Sequence, residues 1–175
     1  MSLLTSLIVV SDEYNLRGPI PGELAALRQL EELDFDSNNM TGWIPSWIGS
    51  AMNLKYLDLD RNVFSGPIPE QLYDSTSLRY VDLDNNILSG GISTKIGNMA
   101  QLIFYQVDYN QITGTIPSEV GVLENLRFFS VFGNGFDDRA TIPVDMCGQG
   151  IQIYANCRMC TGTGIDDCCT ACLPY

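Results

Sequence analysis

The sequence predicts a solenoid of stacked 24-residue turns, with a parallel β-sheet along one side and a cysteine-stapled cap at the C-terminal end. Two observations carry the solenoid and a third carries the cap. Asn38, Asn62, Asn86, Asn110 and Asn134 recur every 24 residues. Gly18, Gly42, Gly66, Gly90 and Gly114 keep the same interval, and Ile20, Ile44, Ile68, Ile92 and Ile116 follow them, with proline next except at Ser93. All six cysteines, Cys147, Cys157, Cys160, Cys168, Cys169 and Cys172, lie in the last 29 residues.

Aligned on these marks, the unit reads LxxLxxLxLxxNxLxGxIPxxLGx. LxL is a short strand whose two apolar side chains point into the core while the residues between and beside them point out. The asparagine turns inward, where its amide satisfies backbone groups of neighbouring turns, and the glycine permits a tight bend. One unit cannot bury its apolar side alone. Stacked units share a continuous core and one parallel sheet.

This unit resembles the plant-type leucine-rich repeat with its LxGxIP signature, as found in receptor-like kinases and in secreted inhibitors of wall-degrading enzymes. The resemblance covers residues 3 to about 146. It implies a right-handed leucine-rich repeat solenoid with a concave parallel β-sheet and a convex side of 3-10 and extended segments. The domain reading is a six-repeat array over residues 1–146, its first repeat atypical, and a cap over 147–175 that includes a half repeat. In repeat one Tyr14 replaces the asparagine and Ser11 the second strand leucine. The cysteine-bearing N-terminal cap usual in plant ectodomains is lacking, so that apolar end is expected to be bare and open to self-assembly. Repeat six runs nine residues from Asn134 to Pro143, where the others use seven.

The tail begins with an echo of the repeat, Ile151, Ile153 and Asn156 fitting LxLxxN. An even number of cysteines after it reads as a disulfide framework shielding the last turn, and the sequence does not choose the pairing. Cys157-x2-Cys160 and Cys169-x2-Cys172 also have zinc-ligand spacing, which is the competing reading. The CCTAC ending resembles the tail that follows repeat arrays in diatom receptor-like proteins. Asn39-Met40-Thr41 is an N-glycosylation sequon on the turn after the second strand. Together these point to the secretory pathway and an extracellular or cell-surface location, with no signal peptide in this chain: the opening MSLLTSLIVV lacks a basic start and a cleavage site and reads as folded sequence.

Composition removes several functions. With no histidine, Ser-His-Asp and Cys-His catalysis and every histidine-metal site are gone, and no enzyme is expected. Nine basic against 21 acidic residues give a net charge of -12, which repels nucleic acid and anionic lipid. No apolar run reaches the roughly 20 residues of a spanning helix. Phosphate-binding glycine loops and paired buried carboxylates are not expected either.

The concave face is the candidate binding surface. With Leu33 and Phe35 facing the core, positions 32, 34 and 36 face outward, each with equivalents every 24 residues. One row reads Val10, Asp34, Asp58, Asp82, Gln106, Ser130, and the next Asp12, Asp36, Asp60, Asp84, Asp108, Phe132. With Glu32, the three rows hold nine of the 21 acidic residues. Strands lie about 4.8 Å apart, so like charges meet across the ladder and something must offset their repulsion. A cationic ligand or a shared calcium at Asp36, Asp60 and Asp84 would do so, as would plain hydration. Beside the acids runs Ile8, Glu32, Tyr56, Tyr80, Phe104, Phe128, an apolar stripe ending on Phe132 and Tyr109 and suited to stacking on sugar rings or clamping a peptide.

Two further features are a hydroxyl ladder at Thr41, Ser65, Ser89 and Thr113, which matches the family pattern, and the tryptophans Trp43 and Trp47 around one IP motif, which read either as a sticky patch on the outer surface or as packing of adjacent turns. The function expected is extracellular recognition of a protein, peptide or glycan on the concave face, with no other cofactor. The alternatives are a structural or adhesive subunit bridged by calcium and, from the resemblance, an inhibitor of a secreted glycosidase.

Overall fold

The structure, a computed structural model, describes residues 4–10, 16–160 and 168–173. Its strands, numbered along the chain, alternate between two parallel sheets. One is eight-stranded: β1 (Ser6–Ile8), β3 (Glu32–Asp34), β5 (Tyr56–Asp58), β7 (Tyr80–Asp82), β9 (Phe104–Gln106), β11 (Phe128–Ser130), β13 (Gln152–Asn156) and β14 (Ala171–Leu173). The other is six-stranded: β2 (Arg17–Gly18), β4 (Asn39–Gly42), β6 (Val63–Pro67), β8 (Ile87–Gly90), β10 (Gln111–Gly114) and β12 (Gly135–Phe136). The sequence predicted only the first sheet. The second forms because the residues leading up to the glycine of LxGxIP are extended, and each copy finds a partner one turn away.

Register follows the apolar pattern. Leu33, Leu57, Val81, Tyr105, Phe129 and Ile153 pair in sequence across the long sheet, and all are buried. Each contributes roughly 1.5–3 kcal/mol by leaving water. The isoleucines before proline close the core from the other side, and the proline then caps a 3-10 turn with its φ already set. Where Ser93 replaces proline, its hydroxyl accepts a hydrogen bond from Lys95 N–H at 3.3 Å and caps the turn itself.

The asparagine ladder locks turn to turn. Asn86, buried at 7 % exposure, donates to the carbonyls of Leu59 (2.9 Å), Leu83 (3.2 Å) and Asp84 (3.0 Å) and accepts from Phe64 N–H (2.9 Å). Asn62 and Asn110 repeat this set, as the sequence predicted.

Three register expectations are corrected. β1 pairs Ser6 with Glu32 and Ile8 with Asp34, an offset two residues longer than in later turns. Leu7 and Val9 are therefore the core pair of the first repeat, not Val9 and Ser11, and Asn38 reaches Val9 O at 2.7 Å to keep the ladder. Ile8 thus belongs beside Asp34 and not beside Glu32, and Val10 leaves the Asp34 row; Ser11, Asp12 and Tyr14 lie outside the described residues. At the other end β13 pairs Ile153 with Phe129, so the half repeat is Ile153 and Ala155, two residues later than the echo suggested.

In the cap, a short helix α1 (Cys157–Cys160) precedes β14, an added strand that no periodic feature marks. Cys147 bonds Cys168 and Cys160 bonds Cys169, and Cys172 is also disulfide-bonded. The zinc alternative fails because Cys160 and Cys169 spend their sulfurs on each other. The side chain of Cys157 lies outside the described residues.

Candidate binding face

The long sheet positions every candidate side chain, because a side chain on one strand stands beside its equivalent one turn away. In the first outward row Tyr56, Tyr80, Phe104 and Phe128 stack ring on ring, with centroids 4.2, 4.2 and 4.4 Å apart and planes within 10°. Tyr154 extends the row, its ring 5.3 Å from that of Phe128 and tilted 33°. Each ring is half-buried. The geometry corrects one expectation: within the row each ring face is taken by its neighbour, so an incoming sugar or cation meets ring edges. Ring edges carry the positive part of the quadrupole and suit carbonyl oxygens and aliphatic groups.

The acidic rows are not solvent-facing in the way the alternation predicts. Asp58, Asp60, Asp82, Asp84 and Asp108 are only 7–8 % exposed, so paired buried carboxylates exist after all. The chain turns sharply at the end of each strand and folds these groups against itself. Asp34, Asp58 and Asp82 each accept from the N–H two residues on, at 3.1, 3.1 and 3.2 Å, an Asx turn that any regular β alternation would miss. Tyr56 and Tyr80 donate their hydroxyls to Asp58 (3.0 Å) and Asp82 (3.2 Å), joining the aromatic row to the acidic one.

Burial sets the charge state. Desolvation raises Asp58 to about 6 against the help of the Asp60 N–H and Tyr56 hydroxyl. Asp82 rises to about 7 by desolvation, then by Asp58 and Asp84. Asp108 rises to about 6 by desolvation, opposed by Ser130 and the Phe132 N–H. Asp60 is raised as well, first by desolvation, then by Asp58 and Asp84. The Tyr56 and Tyr80 hydroxyls are pushed up by burial and by these carboxylates, so both stay protonated donors.

The two ends of the ladder differ. Asp108 is fully served: Ser130 donates to it at 2.6–2.7 Å and Phe132 N–H at 2.7 Å. Asp36, Asp60 and Asp84 have outer-oxygen partners in Ser37 (3.1 Å), Arg61 (3.6 Å), Asn85 (2.7 Å) and Gln106 (3.2 Å), while the Oδ1 atom of each is buried with no partner. Among the described residues no three His, Cys, Asp or Glu side chains are arranged to hold a metal ion.

Tyr109 and Phe132 meet edge to face at 5.2 Å, and Tyr109 is 53 % exposed. Tyr109 belongs to a row the sequence reading missed: Ser37, Arg61, Asn85 and Tyr109 all adopt left-handed φ of 47–55°, one residue before the asparagines. Asn85 was the available signal, since asparagine tolerates that region; arginine and tyrosine gave none. Ser37, Arg61 and Tyr154 were also missed as parts of the face, whereas Gln106 and Ser130 stand in the outward row where the sequence put them. On the other sheet the Ser65 and Thr113 hydroxyls donate to Gly42 O (3.4 Å) and Gly90 O (3.3 Å). Trp47 packs against the core, whereas Trp43 is 70 % exposed and lies over Gly66.

This geometry can be set beside known proteins. A leucine-rich repeat family model matches residues 20–88. The ectodomain of the receptor kinase SOBIR1 from Arabidopsis thaliana is 34 % identical with a TM-score of 0.69, over 75 % of this chain and 71 % of that one. The chain belongs to the leucine-rich repeat family. This leucine-rich repeat chain is also similar to the plant peptide hormone receptor RGFR1, solved in complex with RGF2, at 31 % identity and a TM-score of 0.76. That match covers 81 % of this chain but only 23 % of the receptor. A plant ice-binding protein matches at 27 % identity and a TM-score of 0.76, over 89 % of this chain and 52 % of that one. No curated protein matches the chain.

Proposed function

We propose that this leucine-rich repeat chain is an extracellular recognition module that binds a protein or peptide ligand on the outer, concave face of its long sheet. The observation that carries the reading is the continuous aromatic row from Tyr56 to Tyr154 with hydrogen-bonded carboxyls beside it. A row of rigid, half-buried rings gives a ligand large contact area at little loss of side-chain entropy. An extended peptide laid along the row would meet one ring edge per turn, and the Tyr56 and Tyr80 hydroxyls and adjacent carboxyls offer polar anchors. Similarity to peptide-hormone and other receptor ectodomains, and cysteines spent on disulfides, support an oxidising, extracellular setting. Asn39, half-buried at the start of β4 with Thr41 exposed, is the proposed glycan acceptor.

The ice-binding relative directs attention to the hydroxyl row of the second sheet. There Ser65 and Thr113 spend their protons on backbone carbonyls, which favours a role in holding the turns.

The test is selection of peptides from a random display library on the whole chain. Selected peptides are expected to lose at least ten-fold in affinity for Phe104→Ala, with Trp43→Ala, on the other side of the turn, as the control. Equal binding to wild type and Phe104→Ala, with melting confirming that the variant is folded, would overturn the reading.

A further inference from the structure

Among the described residues, the buried side-chain oxygens on the long sheet's outer face that lack a partner are the inner oxygens of one column. Asp36, Asp60 and Asp84 stand on successive turns, and the Oδ1 atom of each is buried without a hydrogen-bond donor. Asp60 and Asp84 are 8 % and 7 % exposed. An unpartnered buried carboxylate oxygen costs more than an unpartnered neutral group, and three in register would be costlier still. Water does not reach these atoms, and no side-chain donor points at them.

The groups facing the column account for everything except those oxygens. Asp34, Asp58 and Asp82 lie alongside, with their Oδ1 atoms committed to the backbone N–H of the column residues. Tyr56 and Tyr80 donate to Asp58 and Asp82 and not to the column. Ser37, Asn85 and Gln106 serve the outer oxygens, and among the described residues Arg61, 3.6 Å from Asp60 and with its side chain 58 % exposed, is the one cation with an ion pair to the column. Asp108, next in the row, is satisfied by Ser130 and Phe132.

A single proton resolves two orphan oxygens at once, because a protonated carboxyl on one turn donates to the carboxylate on the next. Asp60 is the member placed to carry it, on the middle of three adjacent turns with Asp36 on one side and Asp84 on the other. We propose that Asp60 holds a proton and donates it to Asp84, and that a cationic segment of the ligand expels this proton to water on binding. This rests on recognition by the long sheet's face and adds to it the chemistry of the ligand, a Lys- or Arg-bearing peptide, and its dependence on pH. Positive charge over Asp58, Asp60 and Asp82 lowers the proton affinity of all three, so binding and proton release are linked.

The experiment has two arms on the whole chain. In the first, carboxyl 13C resonances are followed by NMR from pH 3 to 9. The Asp60 carboxyl is expected to titrate at least two units above the ordinary aspartate value of about 3.9, and by at least one unit less in Asp84→Asn. Titration of Asp60 near 4 in the wild type overturns the proposal, and since no ligand is present that result leaves sheet-face recognition standing. In the second, hexa-arginine is titrated calorimetrically in two buffers of different ionisation enthalpy. Net proton release at pH 7 and affinity at least ten-fold higher at pH 8 than at pH 5.5 are expected. Binding without proton release, or no hexa-arginine binding at either pH, overturns the coupling to a cationic ligand. Failure of sheet-face recognition itself is read separately, by peptides selected from the library binding Phe104→Ala unchanged.

Discussion

Replacing Asn86 by alanine should be among the most damaging single changes in the molecule, although it removes no apolar contact. The amide makes four hydrogen bonds, three donated to carbonyls of two turns and one accepted from Phe64 N–H. Its NH2 group has only two hydrogens, so the three donations amount to two full bonds with one shared. Alanine therefore leaves roughly three bond equivalents unmade in a site that is 7 % exposed. At about 1–3 kcal/mol for each buried orphan, and with some relief as water enters the vacated space, the expected loss is about 4 kcal/mol, a large part of a typical domain's 5–15 kcal/mol. Asn86→Asp should be worse, because it keeps the acceptor, loses both donors and sets a charge against carbonyls. Urea denaturation followed by far-UV circular dichroism measures the loss over the whole solenoid; Trp43 and Trp47 both sit in the second turn and would report only there. A loss under about 1 kcal/mol would refute the claim that the ladder joins the turns.

Other changes separate packing, charge and covalent contributions. Stability should fall as pH rises from about 4 to 8 and then level off, because Asp58, Asp82 and Asp108 bind protons more tightly folded, at about 6, 7 and 6, than in the unfolded chain, where an ordinary aspartate titrates at 3.8. One such group is worth about 3 kcal/mol, neighbours do not add, and a melting temperature higher at pH 8 than at pH 5 would contradict the burial argument. Gly49→Ala should lose about 3 kcal/mol in chemical denaturation, since its Cβ would lie 1.7 Å from Gln71 O. Gly18→Ala, with open space but φ of +86°, should lose only about 1 kcal/mol. Reducing the Cys147–Cys168 and Cys160–Cys169 bonds, which span 21 and 9 residues, should remove on the order of 3 kcal/mol each, read by melting with and without reductant. Millimolar calcium should leave the melting temperature unchanged; a rise of several degrees, reversed by chelator, would reinstate Asp36, Asp60 and Asp84 as a cation site.

How much of this was legible in the sequence depends on how local each signal is. The period, the asparagine ladder and the core pairs were readable because each is one residue type at one spacing. The aromatic row was readable too, since position 56 and its equivalents fall on the regular part of the strand. The carboxyls were misplaced toward solvent because strand alternation stops at Asp58 and its equivalents, where the chain turns on an Asx hydrogen bond. The first repeat was misaligned because the 24-residue frame was carried over it, whereas Leu7 and Val9 fix a frame two residues away. The added strand β14 has no periodic precursor and is held by pairing with β13 within a disulfide-bonded tail, which no spacing rule predicts.

The face is polarised along the solenoid, and that polarity follows from which acids are satisfied. From the second turn to the fourth, Asp34, Asp58 and Asp82 stand beside Asp36, Asp60 and Asp84, with Arg61 paired to Asp60. From the fifth turn on, Gln106 and Ser130 replace the first of these rows and Phe132 ends the second, while Ser130 and Phe132 N–H occupy Asp108. The exposed or half-exposed aromatic groups there are Tyr109, Phe104, Phe128, Phe132 and Tyr154. On the proposed reading, a ligand that matches this face carries its cationic residues over turns two to four and its apolar residues over turns five and six. Because the strands are parallel and the turns stack in one direction, reversing that order would set the cations against satisfied, apolar ground and leave the carboxyl column holding its proton. The same asymmetry that leaves three oxygens without partners therefore fixes the direction in which a peptide can lie.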